Sequence, residues 1–146
     1  MFKRTIRSSF VCIVFTICFF ALVSNGFASV FINEIHYDNI STDTGEAIEI
    51  FGPAGSDMSN WALELYNGNG GGLYDAISLS GSIPNQQNGY GTLSFPSAGL
   101  QNGAPDGIAL VNNGVVVQFL SYEGSFMATS GSATGFLSWA GCRAIC

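Results

Sequence analysis

The chain has 146 residues, with four Lys and Arg against ten Asp and Glu, for a formal net charge of −6. Three of the bases, Lys3, Arg4 and Arg7, stand in the first seven residues, so everything after them carries Arg143 alone against all ten acids, a net of −9. Such a surface repels phosphate, which excludes nucleic-acid binding by charge. The single histidine, His36, has no Ser/His/Asp or Cys/His grouping around it, which excludes most familiar hydrolase centres.

The first expected element is a secretory signal helix. A basic start leads into the mostly apolar run Phe10 to Val23, and Gly26 and Ala28 then offer a small-residue cleavage site. A membrane span needs about twenty apolar residues, and this run is shorter and ends in Ser24-Asn25-Gly26. Residues 1-28 therefore read as a signal peptide, whose loss leaves a secreted or periplasmic domain with no membrane attachment. Cys12 and Cys18 leave with it. The rest is close to the commonest domain size and can bury roughly two-thirds of its unfolded surface.

From Val30 onward short apolar runs alternate with Gly, Asn, Asp, Ser and Pro, a pattern of strands and turns rather than helices. Strands are expected near Phe31-Tyr37, Glu46-Phe51, Trp61-Tyr66, Leu73-Leu79, Tyr90-Phe95, Gly107-Val111 and Val115-Tyr122. Seven strands at this spacing predict an all-β fold, an immunoglobulin-like antiparallel β-sandwich.

Pairing Phe31-Tyr37 with Glu46-Phe51 sets Glu34 opposite Glu49. In the second of these strands Ile48 and Ile50 point inward. Trp61, Leu63 and Leu65 also point inward, with Glu64 in solvent. The glycine-rich stretch Asn67 to Gly72 reads as a mobile loop: no Lys-Ser/Thr follows and no helix starts there, so it meets neither phosphate-binding pattern. Asn113-Gly114 marks a two-residue type I′ hairpin. Its register places Ile108, Leu110, Val115, Val117 and Phe119 on one face and Ala109, Val111, Val116 and Gln118 on the other.

Six titratable groups, Glu34, His36, Asp38, Asp43, Glu46 and Glu49, fall within sixteen residues. Like charges facing across strands repel, and a cation relieves them. Asp38, Asp43 and Glu46, with Asn39 and Ser41, form an oxygen-rich set of the kind calcium takes, without matching an EF-hand. The plainer reading is a solvated acidic edge that resists edge-to-edge pairing. Zinc lacks enough His and Cys partners, and paired acids at unknown separation do not define a glycosidase. No catalytic residue and no cofactor is expected. Tyr66, Tyr74, Tyr90 and Phe51 are aromatic candidates for docking a protein or carbohydrate, provided that they form one patch. Cys142 and Cys146 can close only a very short disulfide loop. The segment 136-146 differs in character from the body, holding its only base and cysteines, and reads as an atypical tail not native to the domain.

Val30 to Tyr122 resembles a lamin-tail domain, the immunoglobulin-like module also found on secreted bacterial proteins. The resemblance rests on Phe31-Ile32-Asn33-Glu34-Ile35-His36-Tyr37-Asp38-Asn39, Asp43-Thr44-Gly45-Glu46-Ala47-Ile48-Glu49-Ile50, Gly52-Pro53-Ala54-Gly55 and Asp57-Met58-Ser59-Asn60-Trp61-Ala62-Leu63. Leu65-Tyr66-Asn67-Gly68, Gln101 to Val111 and Val117 to Gly124 extend it. It is similar to the copy at the front of secreted nucleases and related endonuclease/exonuclease/phosphatase-type hydrolases. What the resemblance implies is a non-catalytic binding or interaction module over residues 29-135, set beside an enzyme domain or left as its remnant, with 136-146, where the pattern breaks off, the product of truncation or a shifted frame; the module is expected to be a monomer. A calcium-stabilised adhesion module and a small secreted hydrolase are the alternative readings.

Overall fold

The structure, a computed structural model, describes residues 29–37 and 44–142. The signal helix expected over residues 1-28, Asp38, Asp43 and Cys146 lie outside the described residues. Within them the chain forms eight strands and no helix. These are β1 (Phe31–His36), β2 (Ala47–Pro53), β3 (Trp61–Asn67), β4 (Gly72–Ser78), β5 (Tyr90–Pro96), β6 (Asp106–Asn112), β7 (Val115–Tyr122) and β8 (Trp139–Cys142). They pair as a three-stranded sheet, β1-β2-β5, and a five-stranded sheet, β4-β3-β6-β7-β8, in a sandwich-like arrangement.

Alternation of side chains explains the layer between the sheets. Ile32, Ile48 and Ile50 from the smaller sheet meet Leu63, Leu65, Ile108 and Leu110 from the larger in one buried cluster. Burying each such side chain contributes about 1.5–3 kcal/mol. Met58, Leu79, Ile83 and Leu100 from the connecting segments seal its margins. Tyr122 closes one end, its ring stacked on Tyr37 at 4.0 Å and its hydroxyl donating to the Gln101 carbonyl at 2.5 Å.

Seven strands fall where the sequence places them, to within a residue or two at each end. The eighth, β8, is additional, and it runs parallel to β7 where the expectation was antiparallel throughout. The hairpin turn at Asn113-Gly114 forms, with Asn113 at φ 49° and Gly114 at 77°. Its register, however, holds for only two pairs, Asn112 with Val115 and Val111 with Val116. Leu110 then faces Gln118 rather than Val117, so Val117 is the extra residue of a β-bulge. Beyond the bulge every side chain of β7 changes face. Phe119 joins Ala109 and Val111, while Gln118 turns between the sheets, where its Oε1 accepts the Ile32 amide at 2.8 Å.

The reason for the bulge is a second buried cluster on the far face of the five-stranded sheet. Tyr66, Ala109, Val111 and Phe119 are covered there by Phe126, Ala128 and Ala133 of the segment between β7 and β8. A face that is itself buried can accept Phe119, so Phe119 and its neighbours have two apolar sides to choose from. Glu64, expected in solvent, lies under the same segment and is half-buried.

The segment is tied down along its length. The Thr129 amide donates to the Gly71 carbonyl at 2.8 Å, and Ser130 Oγ accepts the Leu73 amide at 2.7 Å. Phe126 and Ser138 exchange hydrogen bonds at 2.9 Å. The glycine-rich stretch is therefore an anchored turn rather than a mobile loop, and Gly72 already belongs to β4. A Cβ on Gly68 would lie 1.9 Å from the Pro105 carbonyl oxygen, so the close approach of that loop requires glycine.

Candidate functional site

The outer face of the three-stranded sheet carries two chemically distinct ends. At one end β1 and β2 set Glu34 opposite Glu49 and His36 opposite Ala47. An irregularity between Ile32 and Glu34 leaves Asn33 as the extra residue, and its Nδ2 donates to Glu49 Oε1 at 2.6 Å. The Glu34–Glu49 pairing thus forms as the sequence predicts, and the Asn33 amide shares the Glu49 carboxylate. A hollow of about 160 Å³ lies here, lined by Glu34, His36, Gly45, Ala47, Glu49 and Ser94. Among the described residues, no group of three His, Cys, Asp or Glu side chains is placed to hold a metal ion.

Of the expected calcium ligands, Glu46 alone is described. Its Oε2 accepts the Gly99 amide at 2.5 Å and the Leu100 amide at 3.3 Å. The Glu46 carboxylate thus caps the loop after β5.

At the other end an aromatic row crosses the sheet. Phe31 lies opposite Phe51, with ring centroids 5.1 Å apart and planes inclined at 37°. Phe51 stacks on Tyr90 of β5 at 5.7 Å and 8°. These are direct and diagonal cross-strand neighbours, the positions at which aromatic side chains reinforce one another. Phe31 and Tyr90 are each 38% exposed, and Phe51 between them is half-buried.

Beside Phe51 and Tyr90 opens a hollow of about 360 Å³, completed by Gln86, Gln87, Asn88 and Gly91. The loop that carries these amides is rigidly built. The amides of Gln86 and Gln87 both donate to the Tyr90 carbonyl, and Gln86 Oε1 accepts the Thr92 amide at 2.8 Å. A Cβ on Gly91 would lie 2.0 Å from the Pro84 carbonyl oxygen, which fixes the loop closely over β5.

The aromatic candidates separate accordingly. Phe51 and Tyr90 belong to this row, and Phe31, which sequence reasoning missed as a site residue, extends it. Tyr66 is fully buried in the second cluster. Tyr74 packs against the main core, with its hydroxyl accepting the Gln101 amide at 3.1 Å.

A third, polar hollow of about 440 Å³ is lined by Asn67, Asn69 and the loop from Gln101 to Asp106. Burial pushes the Asp106 carboxyl above its usual range, and the Gly68 and Gly103 amides offset only part of that. Its Oδ1 accepts the Gly68 amide at 3.0 Å, so the group serves the loop as a brace.

No protein-family model, curated protein or solved structure matches the chain.

Proposed function

We propose that the chain is an exported, non-catalytic interaction module of lamin-tail type, an immunoglobulin-like sandwich that works as an accessory domain of a secreted endonuclease/exonuclease/phosphatase-type hydrolase. The leader pattern supports export, and the resemblance over Val30 to Tyr122 supports the family. The observation that carries the binding role is the Phe31–Phe51–Tyr90 row. Three aromatic side chains are held in ring contact across the outer face of the three-stranded sheet, with Phe31 and Tyr90 each exposed at its two ends, and contiguous exposed apolar surface marks a site of contact.

The test has two parts. Full-length chain expressed for export and purified should show no turnover of DNA, RNA or phosphate monoesters with magnesium, manganese or calcium; turnover would sink the non-catalytic reading. Phe31→Ala and Tyr90→Ala should each leave the melting temperature within about 5 °C of the parent, as surface substitutions do. A larger loss would show that the row holds the fold together rather than serving a ligand.

A further inference from the structure

Resting on that reading of the aromatic row as a contact face, we propose that its ligand is a neutral polysaccharide. The chemistry of the hollow beside Phe51 and Tyr90 selects this class. The side chains that line it are aromatic or carboxamide, and none carries a charge. Carboxamides supply both donors and acceptors, which matches sugar hydroxyls that do the same. Ring faces complement the apolar C–H faces of a pyranose, and a few fixed polar groups around apolar walls are what small-ligand sites use to set orientation.

Charge removes the main competitors. The described residues hold eight Asp and Glu and no Lys or Arg. An anionic glycan, a phospholipid surface or a nucleic acid would therefore find no cation there to neutralise it. The shape of the site agrees. The row spans all three strands from Phe31 on β1 to Tyr90 on β5, so an extended chain laid across it meets successive rings, and the loop from Gln86 to Asn88 meets its hydroxyls at one end.

Affinity electrophoresis of the full-length chain in native gels containing hydroxyethylcellulose, xylan, glycol chitin or alginate tests the proposal. Retardation is expected in at least one of the three neutral gels and not in anionic alginate. Tyr90→Ala and Phe51→Ala should each weaken it about tenfold or more, the effect of truncating a central aromatic anchor. Gln87→Ala should weaken it less. Sedimentation of the same samples should give a monomer.

No retardation in any neutral gel, retardation only in alginate, or retardation indifferent to Tyr90→Ala and Phe51→Ala would each overturn the proposal. A dimer dispersed by Tyr90→Ala would overturn it too, since the face would then be covered by a second copy. The two failures are distinguishable. If the aromatic variants melt normally but no neutral gel retards the parent, the sugar assignment fails alone. If they melt far below the parent, the contact face itself was misread.

Discussion

At the scale of single residues, two part-buried polar knots hold the molecule. Tyr122 joins the main core to the loop before β6 through its hydroxyl on the Gln101 carbonyl. Burial raises its phenol far beyond the usual range, so the hydroxyl remains a donor at every working pH. Tyr122→Phe keeps the ring and its stacking on Tyr37 but strands a carbonyl. Chemical denaturation should show a loss of about 1–2 kcal/mol.

The second knot is Glu64. Burial pushes its pKa up, but the Ser132 hydroxyl, the Tyr66 hydroxyl and the Ser132 amide together hold it below its ordinary value of 4.5. Ser132 Oγ donates at 2.6 Å and the Ser132 amide at 2.8 Å. A carboxylate with a depressed folded pKa contributes stability that is complete above its unfolded value and lost as pH falls through the folded one. The clasp on the segment between β7 and β8 should therefore be whole at neutral pH and weaken below about pH 4.5. Amide protection at Ser132 and Ala133, taken relative to the intrinsic exchange rate at each pH, should fall with acid in the parent. In Glu64→Gln that protection should be low at neutral pH and at about pH 4 alike, and nearly flat between them.

Among the elements, that same segment decides how much of the fold could be read in advance. Strand positions were legible because apolar runs and Gly, Asn and Pro breaks set them locally. Which face each residue of β7 occupies was not, because it depends on Phe126, Ala128 and Ala133, scattered residues with no period of their own. The signal present was in β6. Ile108, Ala109, Leu110 and Val111 form an unbroken apolar run, which marks a strand covered on both sides rather than one with a wet face, and all four are buried. The aromatic row was legible only in part. Phe51 and Tyr90 stand out as aromatics, but Phe31, Phe51 and Tyr90 are far apart in sequence, and only the sheet register brings them together.

Phe126 tests the second cluster. It meets Phe119 edge-on at 5.5 Å and 87° and is 8% exposed. Phe126→Ala should cost about 3 kcal/mol by denaturant titration, and Val115 and Val117, already in solvent on the neighbouring turn, should tolerate Thr with little change.

Over the whole molecule, charge is one-sided. With eight acids and no Lys or Arg among the described residues, the compact state repels itself at neutral pH. Raising salt from about 0.01 M to about 1 M shortens the screening length from about 30 to about 3 Å. The melting temperature should climb with sodium chloride, and glycan retardation, resting on uncharged groups, should hardly respond. Opposite behaviour of the two readouts would separate self-repulsion from ligand chemistry in one titration.

The doubly covered β6 has a consequence for the order of opening. Its backbone is flanked by β3 and β7 and lies beneath layers on both sides, so its amides should be the last in the chain to trade hydrogen for deuterium. The loop bearing Gln86 to Asn88 sits on the smaller sheet, away from that slow centre. A substitution in the surface that meets the outside world therefore leaves untouched the strand that everything else is built around.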